Sequence, residues 1–304
     1  MTALWNRREL IAAAAALGIL PHNALGNSPQ RMKTKAIPST GEALPVVGLG
    51  TYQVFDVNSS QQAIQLRQEI VALLTAHGGS LLDTSPMYNR SEKVIGDVIG
   101  SADNRSDLFL ATKVWTNGKD AGLEQMQRSA KLMQTDVIDL MQVHNLRDTA
   151  AHMATIRQLQ GNGRIRYNGL THYTAGAHRA LVREMRQHKP DFIQINYSLG
   201  ELDAEQEVLP VAEELGIAVL INRPFVAGRL FNAVSGLTVP DWAKPFANSW
   251  GQFFLKFILG HPAVTCVIPA TSKPHHMIDN LGAGIGDLPD AAMRKRMADF
   301  FKSL

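Results

Sequence analysis

The stretch on which the fold and the candidate site both depend reads Gly79-Ser80-Leu81-Leu82-Asp83-Thr84-Ser85-Pro86-Met87-Tyr88. It begins with a short apolar run, which is typical of a strand buried on both faces of a parallel sheet. Asp83 ends that strand, and a turn through Pro86 leads to Tyr88. The spacing predicts that a carboxylate and a phenol face one pocket from a single loop.

Short apolar runs alternate with helical patterns along the rest of the chain. Eight such strand–helix units predict an α/β fold, a (β/α)8 TIM barrel. Ahead of them, two short strands flank a turn at residues 39–42 and predict a hairpin that closes the barrel floor. The predicted barrel strands cover residues 46–50, 80–82, 108–112, 137–143, 165–170, 192–195, 217–221 and 264–268.

A doubly wound sheet is the alternative architecture. It would require a glycine-rich phosphate loop between the first strand and a helix. Gly48-Leu49-Gly50-Thr51 lacks the third glycine, and no helix start follows it, which favours the barrel. The longest irregular segment, residues 223–245, is expected to cover a site, as long loops usually do.

Composition permits a large core and argues against several functional classes. The chain has 304 residues, of which 45% are hydrophobic and 19% charged, so global disorder is not expected. The net charge of +3 is spread without a basic run between aromatic residues, so nothing favours a nucleic-acid partner. Cys266 is the single cysteine, which excludes an internal disulfide.

The N-terminal segment, residues 1–26, has the pattern of a cleaved export signal. Arg7-Arg8 precedes an apolar stretch that is too short to span a bilayer, and small residues offer a cleavage point before Asn27. Paired arginines predict the twin-arginine (Tat) route, with the Tat machinery as a partner and the periplasm as destination. The alternatives are a cytoplasmic extension and an interfacial helix. The single barrel domain is expected over residues 27–304.

Lys113 and His144 end two later predicted strands. Active sites of such barrels lie at the carboxyl ends of the strands, so these residues are expected to meet Asp83 and Tyr88 there. A nearby ammonium is expected to lower the pKa of a phenol, whose ordinary value is about 10. His144 can then polarise a carbonyl that Tyr88 protonates. The missing electron source implies a hydride-carrying cofactor.

The chain resembles the aldo-keto reductase family from about residue 32 to its end. The order and spacing of the matching stretches carry the resemblance; these are residues 48–51, 83–92, 111–114, 139–144, 163–171, 194–197 and 268–272. The resemblance implies NAD(P)H lying extended across the barrel mouth, above a tetrad of Asp83, Tyr88, Lys113 and His144. It also implies a set of cofactor contacts: Gly50, Thr51, Thr171, His172, Gln194, Arg223, Phe225, Thr271, Ser272, Lys273, His276, Asp279 and Asn280.

The chain departs from the family pattern at the nicotinamide. Many relatives place a stacking aromatic residue where this chain has Asn222. Phe225 and Trp250 are the candidates to replace it, and an open face is the third alternative. Some relatives carry a lysine and an arginine where this chain has Ala270 and His276, and Lys273 is expected to replace them. NADP is therefore favoured over NAD.

The leading hypothesis is an NADP-dependent oxidoreductase that interconverts a carbonyl and an alcohol, with Tyr52 and Trp115 lining the substrate pocket. A long C-terminal selectivity loop is expected to be absent, so the pocket is expected either to be open or to be shaped by residues 223–245. No metal is expected, because His275-His276 has no third ligand nearby. The alternatives are a cofactor-binding sensor on the same barrel and a metal-assisted hydrolase.

Overall fold

The structure, a computed structural model, describes residues 31–100 and 105–304. The predicted export signal lies outside these residues and stays a prediction. Within the described part of the chain, no helix is both long enough and apolar enough to cross a membrane.

A closed barrel of parallel strands forms the body of the molecule. Neighbours in the sheet are neighbours in the sequence, and every pairing is parallel. Two parallel bridges, Val47–Val267 and Gly50–Ala270, join the first strand to the last. The predicted barrel is confirmed, with strands β3 (Leu49–Gly50), β4 (Leu81–Asp83), β5 (Phe109–Val114), β6 (Ile138–His144), β7 (Ile165–Thr171), β8 (Phe192–Asn196), β9 (Ala218–Asn222) and β10 (Cys266–Val267).

Helices connect the barrel strands and pack around them. The helices are α1 (Gln61–Ala76), α2 (Ser91–Ile99), α3 (Lys119–Leu132), α4 (Thr149–Gly161), α5 (His178–His188), α6 (Val208–Leu215), α7 (Arg229–Ala233), α8 (Trp250–Leu259), α9 (Pro274–Gly282) and α10 (Ala291–Lys302). Helix α7 lies inside the segment predicted to be irregular. It has only five residues, which is too short for a periodic pattern to show in the sequence.

The barrel interior is apolar below and polar at the mouth. Alternate residues along a strand face the same side, and inward positions such as Phe109, Tyr167 and Phe192 form one buried aromatic cluster. Cys266 belongs to that cluster, and burial raises the pKa of its thiol. The polar inward residues follow nearer the carboxyl ends of the strands.

A hairpin of β1 (Thr34–Ala36) and β2 (Ala43–Pro45) closes the floor. Ile37 and Leu44 are fully enclosed and belong to the interior cluster. Lys35 Nζ donates to the backbone carbonyls of Leu259, His261 and Val264, at 3.1, 3.0 and 2.5 Å. The predicted closing hairpin is confirmed, and it is hydrogen-bonded to the turn that leads into β10.

Candidate active site

The buried ion pair of Asp83 and Lys113 lies at the centre of the barrel mouth. Lys113 Nζ is 2.7 Å from Asp83 Oδ2, and the two side chains are 1% and 3% exposed. Lys113 Nζ also donates to the Thr84 carbonyl at 2.6 Å. Burial acts to lower the pKa of Lys113, but Asp83 and Tyr88 outweigh it, so that pKa lies above its ordinary value. Lys113 is therefore a charged ammonium.

Two amides hold the other oxygen of Asp83. Gln142 Nε2 donates to Asp83 Oδ1 at 3.1 Å, and Gln194 Nε2 donates to the same atom at 2.8 Å. Gln142 lies on β6 two residues before His144, and Gln194 lies on β8. A buried ion pair is stable only when its remaining lone pairs are also satisfied. The two glutamines meet that need and fix the plane of the carboxylate.

The turn after β4 places Tyr88 beside the Lys113 ammonium. The Tyr88 backbone N–H donates to the Ser85 carbonyl at 3.0 Å. Lys113 Nζ lies 4.9 Å from the centroid of its ring. Burial raises the pKa of Tyr88 and outweighs the lowering by Lys113. Lys113 therefore lowers this pKa as expected, but desolvation is the larger effect, so the net shift is upward.

His144 completes the predicted tetrad from the end of β6. Its ring lies edge-on to Tyr88, with centroids 6.2 Å apart. Nδ1 is 3.2 Å from Ser85 Oγ. Burial, and after it the charge of Lys113, lowers the pKa of His144 to about 3. The imidazole is therefore neutral near physiological pH, and the structure brings together all four residues that the sequence pointed to.

The residues expected near the nicotinamide carboxamide form a network of their own. Gln194 Oε1 accepts from Thr171 Oγ1 at 3.4 Å and from Asn222 Nδ2 at 3.3 Å. Asn222 Nδ2 also donates to the His172 carbonyl at 3.2 Å. Asn222 Oδ1 is a buried acceptor without a partner among the described residues. The amide of Gln194, by contrast, is already engaged with Asp83.

The two aromatic candidates for stacking occupy different surroundings. Trp250 packs against Phe253, Phe254 and Phe300, and its indole N–H donates to the Leu237 carbonyl at 2.8 Å. Trp250 therefore packs in the helical layer, and its stacking role stays a prediction. Phe225 is half-buried and packs on Phe231 with ring centroids 4.9 Å apart.

Thr51 forms hydrogen bonds to the backbone of Asp83. Its backbone N–H and its hydroxyl both donate to the Asp83 carbonyl, at 3.1 and 2.9 Å, and the side chain is fully buried. Gly50 pairs with Asp83 across β3 and β4. A Cβ at Gly50 would lie 2.8 Å from the Ile268 carbonyl, so closure of the barrel requires glycine there. Gly50 and Thr51 were predicted as cofactor contacts, and both also make these structural contacts.

The predicted adenosine-phosphate segment begins directly after the last strand and enters α9. Thr271 Oγ1 accepts from the Lys273 N–H at 3.1 Å, and Lys273 and His276 are exposed while Asn280 is buried. Asp279 accepts from Ser249 Oγ at 2.7 Å and from Gln252 Nε2 at 2.9 Å. Its carboxylate is thereby hydrogen-bonded to the start of α8.

Three further predicted site residues lie on loops that follow barrel strands. Tyr52 is 56% exposed, with its ring centroid 5.0 Å from that of Tyr88. Trp115 is half-buried beneath the Arg147 guanidinium, which lies 4.5 Å above its ring. Arg223 is exposed and lies 5.9 Å from the Tyr173 ring. Tyr52 and Trp115 follow the strands on either side of the catalytic loop, as a substrate-lining role requires.

Two residues of the site were missed in the sequence. Gln142 precedes His144 by two, so the period of a strand puts both on the inner face of β6; that signal was readable. Ser85 carried no signal beyond its place in a turn. Across residues 31–100 and 105–304, no three His, Cys, Asp or Glu side chains form a group that could hold a metal ion.

Residues 46–296 match the model of the Aldo/keto reductase family. The chain belongs to this family. Methylglyoxal reductase YeaE of Escherichia coli is 27% identical over 255 residues, which are 80% of this chain and 87% of YeaE. Glyoxal reductase of Bacillus subtilis is 24% identical over 259 residues, which are 83% of this chain and 87% of that protein.

Solved aldo-keto reductases share the barrel. One from Klebsiella pneumoniae, crystallised with NADP and acetate, has a TM-score of 0.74 at 24% identity, and the match covers 88% of this chain and 95% of that one. The aldo-keto reductase AKR11C1 from Bacillus halodurans, in its holo form, has a TM-score of 0.72 at 20% identity, with coverage of 89% and 96%. The common architecture is therefore the (β/α)8 barrel.

The side chains around the mouth fit a nicotinamide dinucleotide. The first turn of α9 carries no acidic residue, and among the described residues no side chain caps it. Backbone N–H groups at such a helix start, beside Lys273, suit a phosphate. At the other end of the mouth, the unpartnered Asn222 Oδ1 can accept a hydrogen bond from an amide N–H.

Proposed function

We propose that the protein is an NADPH-dependent carbonyl reductase that converts an aldehyde or ketone to an alcohol, or runs the reverse reaction. The observation that carries this proposal is the position of Lys113. Its ammonium is 2.7 Å from Asp83 Oδ2 and 4.9 Å from the Tyr88 ring centroid, and the side chains of the ion pair are buried. That arrangement suits a phenol that must give up its proton and take it back.

When bound, the nicotinamide supplies the hydride. Tyr88 donates its hydroxyl proton to the carbonyl oxygen as negative charge develops there. The Lys113 ammonium stabilises the phenolate that remains, and Asp83 keeps the ammonium in place and charged. Low polarity around the site strengthens these interactions compared with water.

His144 orients the substrate rather than acting as the acid. A neutral imidazole is a poor proton donor at neutral pH, but its N–H can hydrogen-bond to a carbonyl oxygen. The lowered pKa of His144 supports this division of labour with Tyr88. The carbonyl would then lie between two donors, which fixes it for attack on one face.

Cofactor and substrate choice rest on chemistry at opposite sides of the mouth. Lys273 and the start of α9 favour NADP, and the Klebsiella relative was solved with NADP. Methylglyoxal and glyoxal, the substrates named for two relatives, are the first carbonyl compounds to test. The remainder of a larger substrate would contact Tyr52 and Trp115.

Replacing the proposed acid tests the function. Tyr88→Phe is expected to lower kcat at least about a hundredfold, the lower scale of general acid–base catalysis. The measurement is NADPH oxidation with methylglyoxal, alongside NADPH affinity by fluorescence titration, which is expected to change little. Tyr167→Phe is the matched control, because that hydroxyl bonds to Glu42 at the barrel floor. Turnover of Tyr88→Phe near that of the unmodified protein contradicts the proposal.

A further inference from the structure

We propose that the hydroxyl of Ser85 sets the tautomer of His144, so that the ring hydrogen stays on Nε2, where a substrate carbonyl can accept it. Ser85 is then a positioning residue that acts through His144. This inference rests on the proposed function for its catalytic consequence. The tautomer itself is a property of the protein alone.

Among the described residues, the hydroxyl hydrogen of Ser85 has a single hydrogen-bond acceptor, His144 Nδ1. Ser85 is 0% exposed. Its oxygen accepts the backbone N–H of Met87 at 3.2 Å and lies 3.2 Å from His144 Nδ1. The described residues offer Ser85 Oγ no hydrogen-bond partner besides these two. The Met87 contact uses the oxygen as acceptor, so the hydroxyl hydrogen is free to point at Nδ1.

The two tautomers of His144 differ in how many buried groups they satisfy. With hydrogen on Nε2, Nδ1 accepts from the Ser85 hydroxyl, so both Nδ1 and the hydroxyl hydrogen have a partner. With hydrogen on Nδ1, that N–H would donate to Ser85 Oγ and leave the buried hydroxyl hydrogen without an acceptor. An unmade buried hydrogen bond costs roughly 1–3 kcal/mol, which is enough to select the first tautomer.

The surroundings exclude a doubly protonated ring, which would make the choice of tautomer irrelevant. Lys113 is a buried cation near His144, and together with burial it lowers the pKa of the imidazole to about 3. His172 opposes a charge on His144 as well. One ring hydrogen is therefore present near neutral pH, and its location decides whether His144 can donate into the mouth.

The far nitrogen of His144 is placed to use that hydrogen. Nε2 makes no hydrogen bond with the described residues, and it is not among their fully buried polar atoms that lack a partner. Its ring lies edge-on to the proposed acid Tyr88. The hydrogen that Ser85 excludes from Nδ1 is thus available to the oxygen that Tyr88 protonates.

Nitrogen NMR of the cofactor-free protein with 15N-labelled histidine reads the tautomer directly. The chain has 10 histidines, and the resonances missing in His144→Asn assign those of His144. The expected pattern near pH 7 is protonated Nε2 and unprotonated Nδ1. Ser85→Ala is expected to give a mixture of tautomers or the Nδ1–H form.

A neighbouring residue provides the matched control. Thr84 Oγ1 is buried and has no partner among the described residues, so Thr84→Val removes a hydroxyl from the same loop without removing a contact to His144. Thr84→Val is expected to keep the tautomer of the unmodified protein. A loop disturbed in general would move the His144 resonances in both variants.

Kinetics supply the second readout. Loss of one oriented hydrogen bond predicts a fall in kcat for Ser85→Ala of roughly fivefold to tenfold, with little change in NADPH affinity. Hydrogen on Nδ1 in the unmodified protein overturns the inference, as does an unchanged tautomer in Ser85→Ala. The expected tautomer in a protein that reduces no carbonyl would instead contradict the proposed function.

Discussion

At the scale of single residues, Asp83 shows how the site is held. One carboxylate oxygen meets a charged donor, and the other meets two amides. Charged hydrogen bonds are stronger than neutral ones, and each restricts the carboxylate further. The position of the Lys113 ammonium therefore depends, through Asp83, on Gln142 and Gln194. Neither glutamine changes charge during the reaction.

Gln142→Met tests this support. It removes one donor from a buried carboxylate, so the free energy of unfolding is expected to fall by about 1.5–3 kcal/mol. Gln142→Glu is expected to cost more, because it sets a second carboxylate beside Asp83. Urea denaturation of both variants gives the values. Equal stability of Gln142→Met and the unmodified protein would show that Gln194 suffices.

The pKa directions of Tyr88 and His144 predict a flat pH profile. Reduction requires protonated Tyr88, whose pKa is raised, and neutral His144, whose pKa is about 3. We therefore expect kcat for reduction to stay constant between about pH 5 and pH 9, and to decline only above that range. Steady-state rates in overlapping buffers measure this. A transition centred near the ordinary pKa of histidine, about 6.5, would contradict a buried neutral imidazole.

The site residues that could be predicted from the sequence are those with a reactive side chain at the end of a predicted strand. Asp83, Lys113 and His144 are polar residues at the ends of apolar runs, so their convergence followed from the barrel. The net pKa of Tyr88 was not predictable, because burial and the lysine act in opposite directions and only the geometry decides which is larger. The role of Ser85 depends on one 3.2 Å contact, which no spacing encodes.

At the scale of elements, the start of α9 is the proposed determinant of cofactor choice. Lys273→Gln is expected to weaken NADPH binding about tenfold and NADH binding much less, because the loss is one charged contact to the additional phosphate. Fluorescence titration with both cofactors measures it. Lys302→Gln, at the exposed end of α10, is the charge-matched control. An equal loss for both cofactors would place Lys273 against a phosphate that they share.

Element boundaries show where periodic patterns suffice. The barrel strands were predicted within a few residues, because each is a buried apolar run. Helix α7 and the packing partners of Trp250 were not predicted, because neither follows from a periodic pattern. Trp250 packs against Phe300 on α10, a contact that only the packing of the outer layer creates.

At the scale of the whole molecule, buried neutral histidines predict sensitivity to acid. The pKa of His144 is about 3 in the folded state, and that of an unfolded histidine is ordinarily about 6.5. Between these values the unfolded chain binds a proton that the folded one does not. The free energy of unfolding is therefore expected to decrease as the pH is lowered through this window, by about 1.4 kcal/mol per pH unit for one such group.

His261, whose pKa burial lowers to about 4, acts in the same direction. Urea denaturation at pH 7.5 and pH 5 measures the effect. His144→Gln removes the titrating group from both states and is expected to give a shallower dependence. The same slope in that variant would assign the acid sensitivity to other groups.

Closure of the barrel constrains the order in which the molecule can assemble. The strand that seals it, β10, is bridged to Val47 and Ala270 is bridged to Gly50, across nearly the whole domain. A chain still emerging from the ribosome lacks that strand, so the barrel can close only after most of it has been synthesised, and α9 is completed later still. The phosphate end of the mouth is thus finished last. A dinucleotide that binds across the mouth would therefore bind and stabilise only the fully folded protein.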